Sequence, residues 1–310
     1  MAKKPPSRGK GKGGTIDRIV IAGIVIALIA IVLTLWGPLR KFRVAEEKKP
    51  VEQTKKQEPQ QKKTVPKAKK QIKEAKKHAE SLVAGSFEKA TLIAIVIDDL
   101  GQDVKQAKEV LALHGNITVA VLPGLSQSKD VANLAKQASH EVLLHMPMEP
   151  LKNHEKTQTP GTLSADMTPM AFLTTVSDDV ESVPGAVGVN NHEGSALTEN
   201  KEAMKFLMAE LKARNLFFLD SLTNPKSVAY ATAVEFGLKA AKRDVFLDNE
   251  GDNPAYIREQ LATLVDIARK HGKAIGIGHP HPVTLSELRK WLTDISAQGI
   301  EIVPVSRLMN

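Results

Sequence analysis

The residues best suited to chemistry in this 310-residue chain are acids, amides and histidines that each follow a short apolar run. "TLIAIVI" (91–97) runs into Asp98-Asp99, "EVLL" into His145, "AVGV" into "NNHEGS" (Asn190–Ser195), "LFFL" into Asp220, "DVFL" into Asp248, and "KAIGIG" into His279. Two adjacent carboxylates at the edge of a core repel one another, and they persist there when a cation or a shared proton relieves them. Histidine adds metal ligation and proton transfer near neutral pH. Glu149 lies four residues after His145 in "HMPMEP" and can join it only where that loop turns back. Single aspartates and asparagines at strand ends also serve turns and helix starts. Asp220, which opens "LDSLTNP", and Asp248 are open to that reading.

These residues need strands to deliver them to one place. Eight short, mostly continuous apolar runs alternate with helical patterns between Ala90 and the C-terminus, the last run being "IEIVPV" (300–305). Strand–helix alternation with two-faced burial predicts an α/β fold with a mainly parallel sheet. Seven or eight such strands fit a complete or distorted (β/α) barrel. All strand ends then emerge on one side, where ligands bind in such folds. No glycine-rich dinucleotide fingerprint follows the first strand.

The remainder of the chain differs in composition. Residues 1–18 are basic, 19–36 ("IVIAGIVIALIAIVLTLW") are apolar and uncharged, and 37–88 are rich in Lys, Glu, Gln and Pro. The apolar run is long enough to cross a bilayer and lacks a following cleavage site. It predicts a single-pass anchor and the membrane as a partner, with 37–88 a disordered linker and 89–310 the folded domain, outside the cytoplasm. The net charge of +8 is concentrated before residue 80, which argues against a nucleic-acid partner. The chain has no cysteine, which excludes thiolate chemistry and a disulfide scaffold. Two tryptophans and two tyrosines leave no evident stacking platform for sugars.

Together, "IVIDDLG", "HEVLLHMPMEP", "VGVNNHEGS", "FFLDSLT", "RDVFLDN" and "IGIGHPHPVTLSEL" resemble the divergent polysaccharide deacetylase family of bacterial envelope proteins, over essentially all of 90–310. The resemblance implies a distorted (β/α) barrel and a divalent metal, most readily Zn2+, with Mn2+ or Mg2+ as alternatives. It implies Asp98 as general base, and Asp99, His145 and Glu149 as metal ligands. It implies His279 as general acid, with Asp220 orienting such a catalytic group. Asn190, Asn191, His192, Ser195 and Asp248 are further candidates for ligation or substrate binding. The implied reaction is removal of N-acetyl groups from an envelope polysaccharide or peptidoglycan fragment. The implied address is the bacterial inner membrane with the domain in the periplasm, where the linker could meet an envelope protein partner. The alternatives are a glycan-binding protein that kept the fold without turnover, and another metal-dependent amidohydrolase or phosphoesterase.

Overall fold

The structure, a computed structural model, describes residues 90–151, 159–251 and 253–310. Its chain order is β1 (Thr91–Leu100), α1 (Val104–Leu111), β2 (Thr118–Val121), α2 (Ser128–Gln137), β3 (Glu141–Met148), α3 (Pro169–Ser182), β4 (Gly188–Glu193) and α4 (Lys201–Ala213). It continues through β5 (Phe217–Asp220), α5 (Ala229–Glu235), β6 (Ala240–Lys242), β7 (Val245–Phe246), α6 (Pro254–His271), β8 (Lys273–Gly278), α7 (Pro282–Asp294) and β9 (Ile300–Ile302). The longest of these helices, α6, carries clear local start and stop signals. In α6, the Asn253 side chain accepts from the Ala255 and Tyr256 amides, and Pro254 occupies the first turn. Arg269, Lys270 and His271 fill its last turn, and Gly272 ends it at φ 80°.

All the strand pairings are parallel, in the order β6-β5-β4-β3-β2-β1-β8-β7, with β9 pairing to the first residues of β1. Among the described residues no pairing joins β6 to β7, so the expected barrel is corrected to a curled, open half-barrel. The physical reason lies in two residues. β6 and β7 are consecutive in the chain, separated only by Arg243 and Asp244. The Arg243 amide donates to Asp220 O on β5, whereas the Asp244 amide donates to Ile275 O on β8. The chain itself spans the seam, where a closed barrel would have a ladder.

The sheet separates two apolar layers. Its outer face packs under the helices through Ile93, Ile95, Ile97, Leu144, Met146 and Phe218. Its inner face holds a smaller cluster that includes Ala94, Val96, Leu143, Leu219, Ile275 and Ile277. Because side chains alternate along a strand, each inner row runs on to a polar residue at its C-terminal end. Ala94 and Val96 lead to Asp98, Leu143 to His145, and Ile275 and Ile277 to His279. The polar ends thus share one mouth, above an apolar floor.

A second correction concerns the membrane. Among the described residues no helix is long and apolar enough to cross a bilayer, and the span expected at 19–36 lies outside them, as do 1–18 and 37–88. The expected transmembrane helix, the membrane partner and the single-pass inner-membrane address with a periplasmic domain therefore have no helix in the structure to rest on.

Candidate active site

Asp98 and Asp99 reach the mouth by different means. Asp98 continues the inner row of β1 and is buried. Alternation alone would turn Asp99 to the opposite face. The register between β1 and β2 slips between Ile97 and Leu100, and Asp99 takes φ 59°. A bulge combined with a left-handed residue re-aims a side chain in this way, and aspartate tolerates that conformation better than most. Both carboxylates consequently line one cavity of about 310 Å³ with His145, His192 and His279.

The strand register places the imidazoles. His145 of β3 is level with Asn190 of β4, and His192 lies two residues farther along the same face. Asn190 is fully buried and connects three groups. Its Nδ2 donates to Asp98 Oδ1 at 2.9 Å and to Ser221 Oγ at 3.2 Å, while its Oδ1 lies 3.0 Å from His145 Nδ1. With both amide hydrogens engaged, Asn190 Oδ1 accepts from His145 Nδ1–H, which leaves the Nε2 lone pair facing the cavity. His145 Nε2 is 3.1 Å from Asp99 Oδ1, His192 Nδ1 is 2.9 Å from the same oxygen, and the two nitrogens are 3.2 Å apart.

This triangle provides a test of fit for a metal. Asp99 Oδ1 is buried, and despite the two nearby nitrogens no donor is aligned on it. Nitrogen and oxygen ligands held about 2.0–2.2 Å from one ion are separated by about the distances seen here. A one-oxygen, two-nitrogen set suits zinc and also accepts manganese. The residues present fit a divalent cation.

The surrounding charges shape titration. Burial raises the Asp98 pKa, and His145 and His279 only partly oppose it. For Asp99 burial acts in the same direction, but the His145 and His192 imidazoles beside it prevail and hold its carboxyl far below the usual range. Burial disfavours the His145 cation, yet Asp98 and Asp99 raise its pKa. His279 is likewise opposed by burial, but the hydrogen bond to Asp248 and the charges of Asp99, Asp248 and Asp98 raise it to about 9. Its Nδ1 lies 3.0 Å from Asp248 Oδ1, so Nε2 faces the cavity, 3.7 Å from Asp99 Oδ2.

The other expected site residues fall elsewhere. The Glu149 carboxylate accepts from Ser164 Oγ at 2.8 Å and the Ala165 amide at 3.1 Å, outside the triangle. The reason is extended backbone: four residues at about 3.3 Å each separate positions 145 and 149 along the strand direction by roughly 13 Å. Asp220 holds the turn after β5, accepting from the Leu222 amide, Ser227 Oγ and the Tyr230 amide. It is Asp248 that orients His279, accepting from its ring and its amide while also holding Thr284 Oγ1. Ser195 Oγ accepts from the Leu151 amide and braces a loop. Asn191 lines the cavity while accepting from the Ser221 amide and donating to Glu193 O. Ligand-type atoms of Asp248, His279 and His281 form a second group within 4.8 Å of one another.

Sequence reasoning missed Arg243, Phe246 and the 221–223 turn, all of which line the cavity. The available signal was that Arg243 directly follows a strand end in "AAKRDVF", but β6 is only three residues long and flanked by lysine.

Comparison with known proteins adds ancestry to this geometry. A protein named YibQ from Escherichia coli (strain K12), itself uncharacterized, is 39% identical over 218 residues, covering 70% of this chain and 67% of the relative. An uncharacterized protein of Haemophilus influenzae is 36% identical over 223 residues, covering 72% and 78%. The crystal structure of the uncharacterized protein ATU2773 from Agrobacterium tumefaciens C58 superposes with a TM-score of 0.68 at 26% identity, covering 72% of this chain and 91% of that one. The fold is that of deacetylase-like hydrolases, with clusters able to coordinate a divalent metal. Residues 95–309 match the divergent polysaccharide deacetylase family, and the chain belongs to it.

Proposed function

We propose that the protein is a metal-dependent deacetylase that hydrolyses N-acetyl groups of a polysaccharide or peptidoglycan fragment. The observation that carries this reading is the Asp99–His145–His192 triangle, with Asp98 Oδ2 3.6 Å from His145 Nε2 and His279 Nε2 3.7 Å from Asp99 Oδ2, within a single cavity. Asp99, His145 and His192 would hold the metal, zinc being the first candidate. When bound, such an ion lowers the pKa of water and polarises the acyl oxygen. Asn190 fixes the His145 tautomer and orients Asp98 through the same amide group.

Asp98 is the general base. Its raised pKa makes it a better proton acceptor than an exposed aspartate, and it takes the proton from the water that adds to the acyl carbon. His279 is the general acid. With a pKa of about 9 it carries its proton at neutral pH, while Asp248 holds Nδ1 and leaves Nε2–H to be delivered to the leaving nitrogen. The carbon–nitrogen bond breaks as that nitrogen is protonated, giving acetate and a free sugar amine.

The test begins with chelator-stripped protein and zinc titrated against a chromophoric chelator, followed by acetate assays on chitin oligomers and peptidoglycan fragments. One divalent ion per chain and acetate equimolar with new amines are expected. Asp98→Asn should retain the ion and lose about 10²–10⁴-fold in turnover. Metal affinity unaffected by either His145→Ala or His192→Ala would refute the ligand set. Specific binding of a fragment without acetate release, across zinc, manganese and magnesium, would replace the enzyme with a glycan-binding protein.

A further inference from the structure

Among the described residues, Arg243 is the one lysine or arginine lining the cavity, which Asp98, Asp99 and Glu193 also line. It is half-buried, and among the described residues no carboxylate lies within ion-pair distance of it. Two backbone carbonyls fix the head instead: Nε donates to Ser221 O at 2.7 Å and Nη2 to Leu222 O at 2.9 Å. Those carbonyls belong to a turn in which Leu222 adopts φ 49°. That conformation is unfavourable for a leucine, and such strain persists where surrounding structure imposes it. The guanidinium also packs on the Phe246 ring, 4.7 Å from its centre. Burial lowers the basicity of Arg243, which the negative charges of Asp98 and Asp220 partly offset. A cation so constrained, with N–H groups left over and no carboxylate within ion-pair distance among the described residues, is prepared for a ligand that brings its own negative charge.

Position defines the ligand further. The Phe246 and His279 rings are 5.3 Å apart and the guanidinium lies 4.7 Å from the same Phe246 ring, so the guanidinium and the imidazole are within about 10 Å of each other. An anion on Arg243 is then separated from the leaving nitrogen at His279 by a distance that one or two sugar rings bridge.

We propose that Arg243 forms an oxyanion-recognition subsite, and that the substrate is an acidic N-acylated glycan whose carboxylate or phosphate substituent docks there. This rests on the deacetylase reading for its reacting group, but the subsite can be tested by binding alone. Three fragments of equal length serve as probes: a neutral N-acetylglucosamine oligomer, one bearing carboxylates on alternate sugars, and one bearing a phosphate ester. Acetate release is measured with the full chain. Binding is measured by calorimetry on the full chain carrying Asp98→Asn, which keeps the ligand intact.

A preference of about ten- to a hundredfold for an acidic fragment is expected, the range for a hydrogen bond to a charged group. The better of the carboxylate and phosphate fragments identifies the anion. Arg243→Gln should collapse the acidic-to-neutral ratio toward one, and Arg243→Lys should restore part of it, because an ammonium keeps the charge without the planar fork. Equal affinity of the wild-type chain for neutral and acidic fragments, or a ratio that survives Arg243→Gln, overturns the proposal. So does an equal loss on all three fragments accompanied by a shifted acid limb of the pH profile, since that assigns Arg243 to Asp98. Arg243-dependent acidic binding without acetate from any fragment leaves the subsite standing and removes the deacetylase reading.

Discussion

Replacing Asp248 with asparagine isolates the source of His279's basicity. In the native site His279 rises from its ordinary 6.5 to about 9 against the opposing effect of burial, and the hydrogen bond to Asp248 is the largest of the raising interactions. Asp248 is itself buried, and its oxygens hold the His279 amide at 2.7 Å and Thr284 Oγ1 at 2.8 Å. The substituted side chain would keep one carbonyl acceptor and lose the charge. Removing an adjacent opposite charge lowers a histidine's pKa by about 1–3 units. For a drop of about two units the protonated fraction at pH 8 falls from about nine-tenths to about one-tenth, equivalent to ~2.7 kcal/mol. NMR titration of the His279 ring in metal-free protein measures the change directly. With metal loaded, the alkaline limb of kcat/KM should move to lower pH in Asp248→Asn. Both limbs should lie below the metal-free titrations, because the cation offsets the pull of Asp99. Thermal denaturation controls for damage to the α7 start, where Thr284 sits. A His279 titration unchanged in a folded Asp248→Asn protein would refute the assignment of Asp248 as the residue that raises it.

Other outcomes follow from the same geometry. Asn190→Ala should weaken metal binding by about 10–100-fold, as loss of an outer hydrogen bond to a ligating histidine does, whereas Glu149→Gln should leave it at the wild-type value; competition with a chromophoric chelator measures both. Gly188→Ala would put a Cβ 2.4 Å from the Phe217 ring and should cost about 1–3 kcal/mol in urea unfolding. Asp179, with an unpartnered buried oxygen, is pushed up by burial and by Asp178 to about 8. Its stabilisation should therefore decline as pH rises from about 4 to about 8, where the unfolded chain is ionised and the folded chain is not. Asp179→Asn should flatten that slope, narrowing the gap in Tm between pH 5 and pH 8 by about 2–4 °C for each kcal/mol removed.

Much of the fold was legible because burial on both faces gives continuous apolar runs, and α6 carries its own boundaries in the sequence, Asn253-Pro254 at its start and Gly272 after its end. The short pieces were not. "KAAK" around β6 offers two alanines between lysines, and α5 is a seven-residue helix whose N-cap makes no side-chain hydrogen bond. In the site, residues that directly follow continuous apolar runs were readable as strand ends, as with Asp98, His145 and His279. Choosing the third member of the triangle required register: Glu149 is near His145 in sequence, but His192 is near it in space, because β3 and β4 run side by side. Exchanging Asp220 for Asp248 as the partner of His279 has the same origin, since β7 and β8 are neighbours and β5 lies on the far side of the sheet path.

The left-handed turn at Asp99 restricts that position in two separate ways. Its backbone, at φ 59°, is adopted most readily by glycine, asparagine and aspartate, and is least favourable for β-branched residues. Its role beside His145 and His192 demands an anionic oxygen on a short side chain. Glycine satisfies the first demand and fails the second; glutamate has the charge, but its extra methylene displaces the carboxylate and it enters this backbone less readily than aspartate. Asparagine passes the backbone test while surrendering the charge. Aspartate alone meets both, so the adjacent pair is not interchangeable: exchange of Asp98 for another acid alters a side chain, whereas exchange of Asp99 alters the path of the chain that carries it.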